Sequence, residues 1–153
     1  MEIKYLKGDA TRPIGNGDII IAHVCNDIGA FGAGFSGAIA RRWKIVETSY
    51  RNLTTRTLGD VQFIQLTPNL MAANMIAQHD VINILGETKD GLPPIRYDAL
   101  RQCLIVVNGM AVKINATLHC PRFGAGLSGG DWNIVEQIIK DIMSVDVYVY
   151  DLK

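Results

Sequence analysis

The sequence predicts an α/β fold, a three-layer α/β/α sandwich built on a mixed, mostly parallel sheet of six or slightly more strands. Three observations lead to this prediction. Apolar strand patterns alternate with helical patterns along the whole chain. The segment IIIAHV (residues 19–24) is apolar on both faces, as in a strand covered by helices on both sides. Residues 132–143 place isoleucine and valine along one stripe, which is typical of an amphipathic helix.

The first half of the chain contains four predicted strands. EIKYLKG (residues 2–8) is the first and IIIAHV the second. A helical pattern then runs from Ser36 to about Trp43, and IVETSYRNL extends it after a break. DVQFIQL (residues 60–66) and LMAANMIA (residues 70–77) are separated by a turn short enough for an antiparallel hairpin.

The second half returns to strictly alternating elements. A loop with mixed signals precedes Pro93 and Pro94, which predict a helix from Ile95 to about Val112. TLHCP (residues 117–121) and VDVYVYDL (residues 145–152) are the last two predicted strands, on either side of the amphipathic helix.

Composition limits the classes of partner. The 153 residues have the size of one domain, so we expect a single domain spanning residues 1–153. Lysine plus arginine, 15, equals aspartate plus glutamate, 15, which argues against nucleic acid or a membrane surface as partner and gives no reason to expect more than a monomer. Three cysteines without a C-x-x-C spacing, and no signal-peptide segment, favour free thiols in the cytoplasm.

Two glycine hexamers are nearly identical. GAGFSG (residues 32–37) matches the G-x-G-x-x-G string of dinucleotide-binding loops, and GAGLSG (residues 124–129) repeats it. The dinucleotide interpretation fails, because seven residues separate the first hexamer from its strand and no acidic strand end follows at the required distance. After the second hexamer, Asp141 and Asp146 lie at or after a helix instead.

The glycines still suit phosphate. Glycine lets backbone amides approach an anion closely, and a helix N-terminus adds a favourable dipole. Two such loops at the ends of neighbouring strands would form the walls of a diphosphate cleft. The alternative is that each cluster is a closely packed strand-to-helix turn.

Several segments together resemble the macro domain family. They are KGDAT (residues 7–11), HVCN followed by GAG (residues 23–34) and HCPRFGAGLSGGDW (residues 119–132), in the family's order and spacing over essentially the whole chain. NMIAQH (residues 74–79) and PPIRYDALRQCL (residues 93–104) further resemble stand-alone macro domains related to ADP-ribose 1''-phosphate phosphatases.

This resemblance implies an ADP-ribose cleft at the carboxyl ends of the strands. Asp9 would accept from the adenine amino group beside the backbone amide of Ala10, and Asn26 would contact the distal ribose. The two phosphate loops would be formed by Gly32, Ala33, Gly34 and Phe35, and by Gly124, Ala125, Gly126, Leu127 and Ser128. Alternative roles are open: Asp9, Asn26 and Ser128 suit turns, and Phe35 suits the core.

His23 and Asp131 are the candidate catalytic residues. His23 replaces the first asparagine of the more widespread N-A-A-N motif, where an imidazole could act as acid or base. Asp131 could position a water at the second loop, although an aspartate there is also a good helix N-cap. A structural histidine is the alternative for His23.

Other chemistries compete with this pair. His23 and Cys25, with either His119 or Cys120, could contribute to a zinc site, and Cys25 could be a nucleophile beside His23. His79 and Asp80 could border the distal ribose. Some related glycohydrolases have a catalytic lysine where this chain has Ala77 and Gln78, so lysine-dependent attack on the ribose is not predicted.

The resemblance therefore implies a hydrolase that binds ADP-ribose and removes the terminal phosphate of ADP-ribose 1''-phosphate without a metal or other cofactor. The alternatives are a hydrolase that removes an acyl group or an ADP-ribosyl adduct, and a non-catalytic reader of ADP-ribosylated protein.

Overall fold

Residues 1–83 and 85–152, which the computed structural model describes, form six strands and four α-helices. The strands are β1 (Ile3–Lys7), β2 (Asp18–Asn26), β3 (Val61–Thr67), β4 (Leu70–Gln78), β5 (Ala116–Cys120) and β6 (Val147–Asp151). They form one sheet in the order β1-β6-β5-β2-β4-β3. Every neighbouring pair is parallel except β3 and β4, which form the predicted antiparallel hairpin.

The helices lie on both faces of this sheet. They are α1 (Phe35–Arg42), α2 (Lys44–Arg51), α3 (Tyr97–Ile114) and α4 (Trp132–Ile142). Residues of α1 pack with Ile19 and Ile21 on one face, whereas α3 and α4 pack with Ile20 and Ala22 on the other. Because side chains alternate along a strand, β2 is buried on both faces. The predicted three-layer α/β/α sandwich with a mostly parallel sheet is confirmed.

The predicted start of α3 is wrong by two residues. Helix α3 begins at Tyr97 and not at Ile95. Ile95 forms an antiparallel bridge with Gln78, and the Arg96 amide donates to the Ala77 carbonyl at 2.8 Å. The backbone of Ile95 and Arg96 therefore pairs with the end of β4 instead of starting the helix. Helical spacing in the sequence does not reveal such a contact.

All three cysteines are free thiols inside the protein: Cys25 on β2, Cys103 on α3 and Cys120 on β5. Within the described residues, no helix is both long enough and apolar enough to cross a membrane.

Candidate functional site

A cavity of about 740 Å³ lies at the carboxyl ends of β2, β4 and β5, between the loops that follow them. It is lined by both glycine loops, which we call the first glycine loop (residues 32–37) and the second glycine loop (residues 124–129). Since β2 and β5 are adjacent parallel strands, their following loops face each other across the cavity. The residues predicted from the sequence that line it are His23, Asn26, Gly32, Ala33, Gly34, Phe35, Gly124, Ala125, Gly126 and Ser128.

Each glycine loop turns back against a glycine: Gly37 ends the first loop, and Gly130 directly follows the second. A Cβ on Gly37 would collide with the carbonyl oxygen of Gly32, and a Cβ on Gly130 would collide with that of Gly124. The Gly130 amide donates to the Gly124 carbonyl at 2.8 Å. The chain therefore requires glycine where each loop turns back on itself, at the last position of the first hexamer and one position after the second.

Helix α1 presents an uncapped N-terminus to the cavity. Its N-cap residue, Gly34, has no side chain to accept from the first-turn amides, and Phe35 and Ser36 of that turn line the cavity. Unpaired amides at the positive end of a helix favour an anion. This end of the cavity is therefore chemically suited to a phosphate group.

Asn26 holds the backbone that leads into the first glycine loop. Its Oδ1 accepts from the amides of Ile28 and Ala30, both at 3.1 Å, and its Nδ2 donates to the Ala30 carbonyl at 2.6 Å. The Tyr50 hydroxyl, from α2, lies 2.8 Å from the same Oδ1. The turn role for Asn26 is thus realised, and its Oδ1 has little capacity left for a ribose.

His23 lies at the cavity but is 1% exposed. Its ring packs edge-on against Phe31, with centroids 5.9 Å apart, and lies 5.6 Å from the ring of Phe35. Burial lowers the pKa of His23 from its ordinary 6.5 to about 4, although a hydrogen bond from Nε2 to Asn74 Oδ1 at 2.5 Å raises it. At neutral pH the imidazole is uncharged and is a poor proton donor.

Asp131 does not line this cavity. Its side chain accepts from the Asn133 amide at 2.9 Å and caps α4, and its own amide donates to the Tyr97 hydroxyl at 2.9 Å. The structure therefore does not bring Asp131 to the cavity that His23 lines. The Asp131 side chain is instead bound to the N-terminus of α4.

The predicted adenine residues lie beyond the cavity lining. Asp9 follows β1, and its Oδ1 accepts from the amide and the hydroxyl of Thr11, both at 2.8 Å. Ala10 is buried beside it. Both residues lie at the same carboxyl edge of the sheet as the cavity, two strands away from β5. The side chain of Leu127 is outside the described part of the chain.

The thiol and metal alternatives receive little support. Cys25 Sγ lies 3.7 Å from His23 Nε2, but burial raises the pKa of this thiol, which disfavours a nucleophilic thiolate. Residues 1–83 and 85–152 contain no group of three or more His, Cys, Asp or Glu side chains placed to hold a metal ion.

Several lining residues were not predicted. Gln78, at the end of β4, accepts a hydrogen bond from Ser128 Oγ at 2.8 Å and so connects β4 to the second glycine loop. Phe31 and Arg122 also line the cavity, and the Arg122 guanidinium pairs with Asp151 at 2.7 Å. Gln78 could have been found from the sequence, because it ends a strand adjacent to β2.

His79 and Asp80 lie outside the cavity lining, where they connect the ends of β4 and β2. His79 Nδ1 lies 2.7 Å from Asp27 Oδ2, and the Asp80 amide donates to Asp27 Oδ1 at 2.8 Å. These contacts fix the strand ends that border the cavity.

Comparison with a solved structure decides the family. A protein from Streptomyces coelicolor, described as a macrodomain protein, superposes with a TM-score of 0.82 at 41% sequence identity, covering 98% of this chain and 99% of that one. The chain belongs to the macrodomain family. No family model matches the sequence.

Other similar proteins differ in what is said of them. A protein from Bacteroides thetaiotaomicron, described as of unknown function, has a TM-score of 0.93 and 48% identity over 99% of both chains. An uncharacterised 17.5 kDa protein of phage T4 is 31% identical, over 99% of this chain and 97% of its own length. An ADP-ribose 1''-phosphate phosphatase of the yeast Lodderomyces elongisporus is 18% identical over 98% of both.

A solved protein that shares this fold carries ADP-ribose. DarTG of Thermosipho africanus in complex with ADP-ribose superposes with a TM-score of 0.66 at 16% identity, covering 86% of this chain and 37% of that one. At this identity the likeness shows the fold alone.

Proposed function

We propose that the cavity binds ADP-ribose, with the diphosphate held between the two glycine loops. The observation that carries this proposal is that two glycine loops, each with two cavity-lining glycines at positive φ, follow adjacent parallel strands and line one cavity. Backbone amides of the loops and the uncapped N-terminus of α1 would meet the phosphate charge. Macrodomain membership and the ADP-ribose complex of the Thermosipho protein support the same ligand.

The width of the sheet fits an extended ligand. From β1 to β4 the sheet order contains four strand intervals, β1-β6-β5-β2-β4, or about 19 Å at the usual strand spacing. The adenine end would lie near Asp9 and Ala10 after β1. The distal ribose would lie at the ends of β2 and β4, near Asn26 and Gln78.

Calorimetry with ADP-ribose, ADP and NAD tests the ligand, and a pair of glycine variants tests the site. Gly126→Ala adds a methyl group at a residue that lines the cavity and has φ 62°. Gly91→Ala adds one at a residue that does not line the cavity and has φ 74°. The two changes cause similar backbone strain, because both residues have a similar positive φ. Neither added Cβ would meet another atom within 4 Å. We expect Gly126→Ala to lose about tenfold in ADP-ribose affinity, or about 1.4 kcal/mol, and Gly91→Ala to lose none. Equal affinities, or binding of NAD alone, would contradict the proposal.

The reaction we propose for this cavity is hydrolysis of ADP-ribose 1''-phosphate. Water would add to phosphorus, the bond between phosphorus and the C1'' oxygen would break, and ADP-ribose and inorganic phosphate would leave. The name of the yeast relative supports this choice, and amides of the glycine loops could stabilise charge on the phosphoryl group. Neutral His23 would bind and orient the ribose, and Asp131, beyond the cavity lining, would stabilise α4.

Phosphate release from ADP-ribose 1''-phosphate tests this reaction. We expect release by the unmodified protein and a loss in Gly126→Ala that parallels its loss of ADP-ribose affinity. Intact ADP-ribose binding without release would contradict the phosphatase and favour a reader. Release of an acyl group or of ADP-ribose from modified protein, without phosphate release, would indicate the other hydrolases.

A further inference from the structure

A row of three polar side chains crosses the otherwise apolar middle of the sheet. Gln62 on β3 pairs in register with Asn74 on β4, and Asn74 pairs with His23 on β2. Asn74 is 0% exposed, and apolar residues surround it on its own strand. The row leads from the edge hairpin to the cavity, where it ends at His23.

Two backbone carbonyls of α2 fix the direction of every hydrogen bond in this row. The Ser49 carbonyl can only accept, so the nitrogen of the Gln62 amide faces it, at 2.9 Å. The oxygen of Gln62 then faces Asn74 and accepts from its Nδ2 at 3.1 Å. The Val46 carbonyl lies 3.4 Å from the same Nδ2 and excludes the flipped amide.

The direction determines the tautomer of His23. Because Asn74 Oδ1 is an acceptor, the His23 nitrogen that faces it, Nε2, carries the hydrogen. Nδ1 of the neutral ring is then a bare acceptor. Nδ1 is buried and has no hydrogen-bond partner within residues 1–83 and 85–152, an arrangement that is unfavourable unless a donor reaches it.

We propose that Gln62 and Asn74 make His23 an obligate acceptor, and that its Nδ1 takes a hydrogen bond from a hydroxyl of the distal ribose. This inference rests on the proposed binding of ADP-ribose. Asn26 Oδ1, at the end of the same strand, already accepts from two backbone amides. Among these two side chains, His23 Nδ1 is therefore the acceptor without a donor in the described residues, and it can accept from a ligand hydroxyl.

The same geometry excludes phosphate from this position. A phosphate dianion offers acceptors and no proton, so it would meet the Nδ1 lone pair unfavourably. The rings of Phe31 and Phe35 pack against His23, so the proposed contact requires the Phe35 side chain, at the start of α1, to move aside. His23 thereby selects for the sugar, and the terminal phosphate lies elsewhere in the cavity.

Nitrogen NMR of histidine-labelled protein tests the tautomer and the contact without any substitution. We expect His23 Nδ1 to be unprotonated in the free protein, and its resonance to shift with ADP-ribose but not with ADP, which lacks the distal ribose. His119 is an internal control, because it is equally buried, pairs through both ring nitrogens with Tyr150 at 2.7 Å and Thr117 at 3.0 Å, and is not in the cavity lining. A protonated Nδ1, or an equal shift with ADP, would overturn the inference.

Matched variants give a second measurement. We expect His23→Leu to lower ADP-ribose affinity about three- to tenfold while ADP affinity is kept, as for the loss of one hydrogen bond. His119→Leu should leave the ratio of the two affinities unchanged. Binding of ADP-ribose with an unchanged ratio in His23→Leu refutes the contact but not the proposed function. Failure of the unmodified protein to bind ADP-ribose refutes both, and the NMR result in the free protein still decides the tautomer.

Discussion

Asp131 can have two roles, since a carboxylate between a loop and a helix can either act on a ligand or cap the helix. In the structure it accepts from the Asn133 amide and lies outside the cavity lining. We predict that Asp131→Ala lowers the free energy of unfolding by about 1 kcal/mol and leaves ADP-ribose affinity unchanged. Urea denaturation and calorimetry measure the two effects.

Serine provides the control, because its hydroxyl also caps helices well. Asp131→Ser should therefore keep most of the stability. A loss of binding in both variants at unchanged stability would show that the carboxylate acts on the ligand after all.

The buried histidines predict how stability depends on pH. Burial lowers the pKa values of both His23 and His119 from 6.5 to about 4, so the unfolded chain binds more protons than the folded one between these values. The free energy of unfolding should therefore fall as the pH falls below about 6.5, by up to about 3 kcal/mol for one such imidazole.

Urea denaturation between about pH 7 and pH 5 isolates this effect, because the carboxylates of the unfolded chain titrate mainly nearer pH 4. His119→Leu should show a shallower pH dependence than the unmodified protein. An unchanged slope would mean that His119 is not held neutral by burial.

Sequence and structure agree on most individual positions but not on what the side chains do there. The sequence brought His23, Asn26 and both glycine loops to one site, since the ends of strands and the glycines are visible in it. The tautomer of His23 and the bonds of Asn26 depend on Gln62, Asn74 and Tyr50, which are distant along the chain. Besides His23, the polar Asn74 within the apolar LMAANMIA was a sequence signal of that row.

At the scale of elements, the junction between the first glycine loop and α1 depends on Gly37. A Cβ at this position collides with the Gly32 carbonyl, although the residue lies within a helix. We predict that Gly37→Ala lowers the free energy of unfolding by about 1–3 kcal/mol and weakens ADP-ribose binding, because the loop must shift. Denaturation and calorimetry on the same protein measure both.

Gly109 in α3 is the matched helical glycine, because nothing lies within 4 Å of its would-be Cβ. Gly109→Ala should stabilise the protein by about 0.5–1 kcal/mol, the ordinary preference of a helix for alanine. If Gly37→Ala were also stabilising, the steric account of the loop would be incorrect.

Local patterns predicted the elements well because the strands and helices of this chain have clear apolar periods. The break between α1 and α2 and the hairpin of β3 and β4 were both visible in the sequence. The start of α3 was not, because Ile95 and Arg96 pair with the end of β4. Such a contact joins residues that local periodicity treats separately.

At the scale of the whole molecule, binding should stabilise the fold, because the cavity is formed by loops from three different strands. We predict that ADP-ribose at about 100 times its Kd raises the free energy of unfolding by about 2.7 kcal/mol. For a chain of this size the Tm should rise by roughly 5–11 °C. Thermal denaturation followed by circular dichroism measures the shift. At the same ADP-ribose concentration, an equal rise in the Tm of Gly126→Ala would place the binding site elsewhere.

The three buried thiols can report local opening of the protein through their rates of chemical modification. Cys25 packs with Tyr50 of α2, whereas Cys103, on α3, and Cys120, on β5, lie in the core between the sheet and the layer of α3 and α4. Burial raises the pKa of Cys103 to about 12 and raises those of the other two as well, so a thiol-modifying reagent reacts when a layer opens. The order in which the three cysteines become modified would therefore rank the two helical layers by how often each separates from the sheet.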